Sequence, residues 1–241
     1  MGSEMCIRDS HGGVTDYPPH ITDPGHRAPV PRRIRAQKAG RWVVDTRAAV
    51  YVWEFPPYPQ YYLPVADVDP ALLADPEIKP RLRRDPGLPD HVRIRWEALD
   101  HWFEEDEQVF VHPRSPYVRV DALRSTTRVR IELEGVVLAQ SGAPVLVFET
   151  GLPTRYYLDR GGLVLDHLEP SPTQTAGPYK GRTTAYWSAR VGGALHEDLA
   201  WCYDFPTRQL LPIAGLVAFY DEKVDVFLDD VLQERPVTAF S

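Results

Sequence analysis

Short runs in which hydrophobic and polar residues alternate recur along most of the chain. The clearest is residues 127–133 (Thr-Arg-Val-Arg-Ile-Glu-Leu), which is followed by a Glu134-Gly135 turn and a returning apolar run at 136–138. A period of two predicts half-buried strands, and the glycine turn predicts a hairpin. Similar strands flank Gly192-Gly193 and Asp221-Glu222. With strands at about 8–12-residue spacing, we predict an all-β chain, mainly antiparallel, with at most short helices.

The strand pattern occurs twice, and only the second copy is complete. A Val-rich strand ending in Glu54 recurs as one ending in Glu149, and a Tyr-Tyr-Leu tripeptide begins seven residues after each glutamate, at an offset of 95 residues. Residues 92–100 match residues 217–225 at an offset of 125, so the first copy lacks about 30 residues, the difference between the two offsets. We predict two related small β units, a shortened first repeat at residues 32–125 and a complete second repeat at residues 126–241.

Residues 1–31 are expected to lie outside both repeats. Back-translation of residues 1–10 gives the end of a transposase-based sequencing adapter, so these residues are set aside and the natural start is expected to differ. Residues 11–31 are rich in proline and histidine and poor in apolar residues. That composition predicts a disordered or loosely draped arm.

Charge, hydropathy and cysteine usage exclude several classes of function. The formal net charge is −7 without a basic stretch, which argues against nucleic-acid partners and anionic membranes. No apolar run approaches the roughly 18–20 residues of a membrane span. With residues 1–10 set aside, Cys202 is the only cysteine, which excludes an internal disulfide and a paired-cysteine zinc site. We expect no metal, no cofactor and a cytoplasmic location, and the sequence leaves the oligomeric state open.

The segment that only the second repeat contains holds most of the candidates for chemistry. In residues 175–182, Gly177 and Gly181 flank a stiff Pro-Tyr-Lys tripeptide, which would present Tyr179 and Lys180 on a loop of defined shape. Lys180 is one of only four lysines in the chain. Its ammonium group could meet an anionic group or, if desolvated, the amine could act as a nucleophile. The alternative is a purely structural turn.

Aromatic residues accumulate in the same region. We expect a ligand pocket with Arg155 at its rim, where a guanidinium could recognise an anion, and with walls formed by Tyr156, Tyr179, Lys180, Trp187 and Trp201. Alternation places neighbouring aromatics on opposite faces of a strand, so core packing is the alternative for each of them. Glu149 at a strand end near tyrosines could serve as a general base, although its counterpart Glu54 in the incomplete copy favours a structural part.

Four motifs together resemble one known family. They are Val147-Phe-Glu-Thr-Gly-Leu-Pro-Thr-Arg-Tyr-Tyr-Leu158, Pro178-Tyr-Lys-Gly181, Tyr186-Trp187-Ser188 and Ile213-Ala-Gly-Leu-Val-Ala-Phe-Tyr220. The combination resembles the bacterial domain of unknown function 427 family over most of residues 33–235. The resemblance implies a small antiparallel fold of the β-tent or Mss4-like type, in one or two copies. Some members carry a nucleotidyltransferase label, but this chain has no Walker-type GxxxxGK[ST] loop. The family commonly has Cys-Pro-Tyr-Lys-Gly, whereas this chain has Gly177 at the cysteine position.

Three functions remain open from the sequence. The first is a tandem β-domain protein whose second repeat binds a small polar or aromatic ligand, with the first repeat as a degenerate scaffold. The second is a transferase or hydrolase in which Lys180 and Glu149 are the catalytic residues. The third is a protein-interaction module without a small-molecule site. A concave pocket that joins Lys180 to the aromatics would favour the first two, and a flat apolar patch would favour the third.

Overall fold

Antiparallel strands account for nearly all the regular structure of the chain. The structure is a computed structural model, and it describes residues 22–241. Over that range, α-helix is limited to α1 (Pro70–Ala74), and the other helical segments are short 3-10 turns. These are Val65–Asp67, Lys79–Arg81, Trp96–Ala98, Arg160–Gly162, Leu165–His167 and Arg208–Ile213. The prediction of an all-β chain with at most short helices is therefore confirmed.

The described residues divide into two compact units, 22–117 and 118–241. The strands of the first unit are β1 (Arg27–Pro29), β2 (Ile34–Lys38), β3 (Arg41–Thr46), β4 (Val50–Val52), β5 (Gln60–Pro64), β6 (Leu82–Asp85), β7 (Leu88–Ile94), β8 (His101–Glu104) and β9 (Glu107–Val109). They form one sheet in the order β3-β2-β8-β9 and another in the order β1-β4-β5-β7-β6. Alternate residues of β2, Ile34 and Ala36, point into a core that also contains Trp53 and Leu63.

The N-terminal part of the first unit differs from the expected loose arm. β1 lies within residues 11–31 and pairs with β4, with Ala28 opposite Tyr51. Three residues with two apolar members give too weak an alternating pattern to predict a strand, and the pairing depends on a partner more than 20 residues away. The adapter-derived residues 1–10 and the rest of the expected arm to residue 21 lie outside the described residues.

The second unit has thirteen strands. They are β10 (Val120–Arg124), β11 (Val129–Leu133), β12 (Val136–Ser141), β13 (Val145–Glu149), β14 (Arg155–Tyr157), β15 (Leu168–Ser171), β16 (Ala176–Gly177), β17 (Gly181–Arg182), β18 (Ala185–Val191), β19 (Ala194–Cys202), β20 (Val217–Phe219), β21 (Asp225–Leu228) and β22 (Val231–Leu232). Their sheets have the orders β12-β11-β21-β22, β10-β13-β14, β15-β18-β19-β20 and β16-β17. An isolated bridge between Leu158 and Val217 joins the end of β14 to β20.

The two units share their strand pairing as well as their sequence pattern. Val52 lies opposite Gln60 in the first unit, and Val147 lies opposite Arg155 in the second, which is the same register at the offset of 95 residues. A bulge after Ala36 also recurs at the equivalent position, after Ile131. Bulges of this kind fix strand register. The repeated sequence therefore encodes a repeated framework of strands.

The segment that distinguishes the second unit forms strands β15 to β19. β18 and β19 make a hairpin whose turn, Gly192-Gly193, has φ angles of 58° and 84°. Two consecutive residues with positive φ match the twist of a tight hairpin, and glycine adopts them without strain. The second unit begins at residue 118, and its first strand, β10, pairs with β13.

Candidate functional site

The inner face of the sheet β10-β13-β14 carries three polar or charged side chains. Arg155 and Tyr157 alternate with Tyr156 along β14, so they share one face, while Tyr156 lies on the other and is half-buried. Arg155 lies opposite Val147, and Glu149 is two residues further along β13 on that same face. Tyr157 is fully buried. This face packs into a core with Tyr186, Trp201 and Tyr203.

The expected aromatic pocket does not form as one site. In the β18–β19 hairpin, Tyr186 lies opposite Trp201, whereas Trp187 lies opposite Ala200. Trp187 and Trp201 therefore project from opposite faces of the hairpin. Trp201 is buried and its indole Nε1 donates to the hydroxyl of Tyr157 over 3.3 Å. Trp187 packs, half-buried, against the other core of the unit.

The short β16–β17 hairpin brings two of the sequence candidates together. The ammonium group of Lys180 forms a salt bridge with the carboxylate of Glu149, and both side chains are mostly buried. The loop is held in place where Thr207 Oγ1 donates to the carbonyl oxygen of Tyr179 over 2.5 Å. A Cβ atom built on Gly177 would have no heavy atom within 4 Å. No neighbouring atom therefore obstructs the Cβ atom of a larger residue at that position.

The sequence led us to expect Arg155 at the rim of a pocket, but in the structure Arg155 is buried. Its residue surface is only 6% exposed, and its guanidinium makes a fork with Glu222, with N–O distances of 2.8 and 2.5 Å. A second carboxylate, that of Asp221, lies 3.5 Å from the guanidinium. Glu222 also accepts a hydrogen bond of 2.6 Å from Thr238 Oγ1. A bidentate pair of this geometry is among the stronger polar contacts in proteins.

Asp221 is the chemically unusual member of this cluster. It is 5% exposed, and within the described residues its Oδ1 atom has no hydrogen-bond partner. Burial raises the pKa of the Asp221 carboxyl to about 7, and the neighbouring Glu222 carboxylate adds to the effect, while Arg155 opposes it. At Glu222, burial is also the largest single effect, but the hydrogen bonds and charge of Arg155 and the hydrogen bond from Thr238 together outweigh it and lower the pKa of that carboxyl. Asp221 can therefore exchange a proton near neutral pH.

Several buried tyrosines lie near the cluster of Arg155, Asp221 and Glu222. Tyr186 OH lies 2.9 Å from Thr175 Oγ1 and 3.3 Å from Tyr220 OH. Burial raises the pKa values of Tyr157, Tyr186 and Tyr220, so these side chains are neutral phenols at neutral pH. The ring of Tyr220 packs against that of Trp201 with centroids 4.4 Å apart and a tilt of 48°, and it lies 5.9 Å from the Arg155 guanidinium. The contact with the Tyr220 ring helps to fix the position of the Arg155 side chain.

Asp221 lies in the wall of a small cleft, which we call the Asp221 cleft. Its volume is about 150 Å³, and Pro153, Thr154, Tyr156, Asp221, Val226 and residues 233–236 line it. A second, more open depression of about 280 Å³ lies beside Glu149 and Phe148. Of the residues that the sequence proposed as ligand-binding, Tyr156 is the one in the Asp221 cleft.

The first unit provides an internal comparison for this charge cluster. Its counterparts of Arg155 and Asp221, at the two repeat offsets, are Gln60 and Trp96. Gln60 accepts hydrogen bonds from Arg93, and Trp96 stacks on Trp102 at 5.0 Å. The first unit therefore replaces both charged groups with uncharged ones. The sequence shows both exchanges between the copies, but its local pattern indicates only a turn at Asp221-Glu222.

The Lys180–Glu149 pair, in contrast, has an analogue in the first unit. Glu54 accepts a hydrogen bond of 2.9 Å from Tyr62 OH and pairs with Arg83 at 3.0 Å. A carboxylate at this strand end thus meets a cation in both units, although different elements supply the cation. This similarity favours a structural role for Glu149 over a catalytic one.

Two further classes of site are not seen. Among residues 22–241, no group of three or more His, Cys, Asp or Glu side chains could hold a metal ion. Over the same residues, no helix is long and apolar enough to cross a membrane. Cys202 is a buried free thiol.

Comparison with known proteins identifies a family. No curated protein matches the chain. The sequence model described as "Domain of unknown function (DUF427)" matches residues 27–80 and 121–230, and so covers parts of both units. The gap between the two matched ranges agrees with a shortened first copy followed by a complete one. The chain belongs to the domain of unknown function 427 family.

Proposed function

We propose that the second unit binds a small polar molecule in the Asp221 cleft. Two observations on one residue carry the proposal: Asp221 lines the cleft, and its buried Oδ1 atom has no hydrogen-bond partner among the described residues. A buried polar atom that lacks a partner costs about 1–3 kcal/mol, and native proteins rarely leave one without a reason. A ligand that donates a hydrogen bond to Oδ1 would supply that partner.

The surroundings of Asp221 support a binding site over a packing defect. Arg155 and Glu222 form a rigid base beside it, and the Tyr220 and Trp201 rings pack against Arg155. Rigid positioning of a recognition group lowers the entropy that binding loses. We assign Tyr156 to the ligand-facing wall, and Arg155 and Trp201 to the support behind the wall. Under this proposal the first unit, with Gln60 and Trp96 at the equivalent positions, serves as a scaffold.

Three finer statements belong to the same proposal. The resemblance to the family supports a β-tent or Mss4-like fold for each unit and a bacterial origin. A cytoplasmic location is supported by Cys202, which is a buried free thiol with no disulfide partner in the described chain. The acidic net charge of −7 supports a small molecule over nucleic acid as the partner.

A ligand screen with thermal-shift readout tests the binding proposal. Compounds that raise the melting temperature of the full chain are retested on Asp221→Asn and on Asp166→Asn, a matched change at an exposed aspartate outside the cleft. We expect hits to lose most of their shift in Asp221→Asn and to keep it in Asp166→Asn. Hits that keep their full shift in both variants would refute the Asp221 cleft as the binding site.

The enzyme alternative is favoured by the salt bridge between Lys180 and Glu149, which the structure brings together from separate elements. An ammonium group held by a carboxylate is a donor and an electrostatic group, and it must lose its proton to become a nucleophile. The analogous pair of Glu54 and Arg83 in the first unit is a further reason to rank this function second. If an activity is found, turnover that survives the combined change Lys180→Met and Glu149→Gln would exclude the assignment.

The protein-interaction alternative is favoured by exposed apolar residues on the outer face of β10 and β13. Leu123 and Phe148 are 55% and 41% exposed. Leu123 lies opposite Leu146, and Phe148 lies opposite Asp121 on the same pair of strands. Two exposed apolar side chains are common on the surface of a soluble protein, so we rank this function third.

A further inference from the structure

The buried cluster behind the Asp221 cleft contains more acids than bases. Arg155 is its one cation among the described residues, and it meets two carboxylates, Glu222 through a fork and Asp221 at 3.5 Å. Lys223 follows in the chain, but its ammonium lies 5.1 Å from the Tyr220 ring centroid and pairs with neither carboxylate. When both acids are ionised, the cluster therefore carries one negative charge in excess.

The groups that line the cleft around Asp221 do not neutralise this excess negative charge. Arg235 is the only cation among the residues that line the cleft, and its Nε and Nη2 atoms both donate to Asp225, at 3.1 and 2.7 Å. Glu234 beside it adds a further carboxylate at the mouth. Thr154, Tyr156 and Gln233 contribute no charge. Apart from Arg155, which Asp221 shares with Glu222, no described residue of the cleft therefore brings an unpaired cation to Asp221.

From this charge count we propose that the ligand group recognised by Asp221 is a protonated amine. The proposal rests on the binding function proposed above and names the chemistry of its ligand. An ammonium group at Oδ1 would give the cluster two cations for two carboxylates and would supply the missing donor. A buried charge is stable only when it is paired, so a cation satisfies this site better than a neutral donor.

The rest of the cleft indicates the body of the molecule. A volume of about 150 Å³ equals that of engineered cavities that bind benzene, so the enclosed part of the ligand has about six to eight non-hydrogen atoms. Tyr156 offers an aromatic face, and Pro153, Pro236 and Val226 offer apolar walls. A compact amine on a small apolar or aromatic body fits these walls.

Proton binding at Asp221 adds a signature that a neutral ligand would not give. With a pKa of about 7, the Asp221 carboxyl is mostly protonated at pH 6 and mostly ionised at pH 8, and the ionised fraction changes about tenfold between them. An ammonium ligand binds the ionised form. Its affinity should therefore rise about tenfold from pH 6 to pH 8, while that of a neutral alcohol should change little.

A matched set of three probes tests the proposal: benzylammonium, benzyl alcohol and benzoate share one body and differ in charge. Binding to the full chain is followed by NMR shifts of the backbone amides of Thr154, Asp221 and Gln233 at pH 6 and pH 8. At pH 8 we expect benzylammonium to bind at least about tenfold more tightly than benzyl alcohol, since a charged hydrogen bond is stronger than a neutral one. Asp221→Asn should reduce the ratio to about twofold or less.

The outcomes separate this proposal from the one it rests on. If benzyl alcohol or benzoate binds in the cleft as tightly as benzylammonium, the amine proposal is wrong, and the cleft remains a binding site. If none of the three probes shifts the cleft amides, both proposals are overturned. The comparison of pH 6 with pH 8 uses the unchanged chain, so it decides the matter even if Asp221→Asn does not fold. An affinity for benzylammonium that is constant with pH would also overturn the proposal.

Discussion

Replacing Asp221 by asparagine should make the stability of the second unit less dependent on pH. The carboxyl has a pKa of about 7 in the folded chain, against a reference value of 3.8. The folded state therefore binds the proton more tightly than the unfolded state does. Between these two values the folded state holds more protons, so its stability falls as the pH rises and the penalty is complete above pH 7. Asparagine cannot ionise and escapes that penalty.

The size of the effect follows from the two pKa values. At about 1.4 kcal/mol per pH unit, the interval from 3.8 to about 7 corresponds to a full penalty of roughly 4 kcal/mol. By pH 5 the wild-type chain has already lost about 1.6 kcal/mol of this, so the remaining change between pH 5 and pH 8 is about 2–3 kcal/mol. The stability difference between Asp221→Asn and wild type should grow in favour of the variant by that amount. Comparing two pH values removes any constant effect of the asparagine geometry.

Urea unfolding at pH 5, 6, 7 and 8 measures this difference. The indole NMR signals of Trp187 and Trp201 report on the second unit alone, because the other four tryptophans lie in the first. Asp166→Asn is the matched control, and its difference from wild type should stay constant with pH. A difference for Asp221→Asn that stays constant within about 0.5 kcal/mol would refute the view that this carboxyl is buried with a raised pKa.

Three other changes test separate parts of the structure. Gly162→Ala should destabilise the second unit by about 1–3 kcal/mol in urea unfolding, because the added Cβ atom would overlap a backbone carbonyl of β12. Gly161→Ala is the control and should be near neutral, because the space around Gly161 is open. Equal effects of the two changes would contradict this packing. A double-mutant cycle of Lys180→Met and Glu149→Gln should give a coupling of about 1–3 kcal/mol, and a coupling near zero would mean that the salt bridge is not formed. Burial lowers the pKa of His112 to about 4, so urea unfolding of the first unit, which contains His112, should show a loss of about 2 kcal/mol between pH 7 and pH 5 as the unfolded chain gains a proton, and His112→Phe should not show that loss.

The strand framework could be predicted from the sequence because its signals are local. The alternation at 127–133 became β11, and the glycine pair at 192–193 became the turn between β18 and β19. The short strands β1 and β10 were missed because each depends on a partner from elsewhere in the unit and has little pattern of its own. Local periodicity predicts that a strand exists, but it does not predict which sheet the strand joins.

The candidate site was harder to predict because it depends on which face of each strand turns inward. Trp187 and Trp201 were both good candidates by residue type, yet the register of one hairpin sends them to opposite faces. Arg155 was interpreted as a rim residue because the sequence does not show that Asp221 and Glu222 reach it from far along the chain. The bridge between Leu158 and Val217 brings the two segments together, and no local pattern encodes that bridge.

The open space around Gly177 has a consequence for the history of this protein. A Cβ atom at that position would meet nothing within 4 Å, so no clash at Cβ stands against the cysteine that the family commonly has there. Glycine and cysteine codons can differ by a single base, so one mutation could remove or restore a thiol at this position. The Gly177→Cys variant is accordingly a way to return one chemical group to the chain while leaving its architecture unchanged.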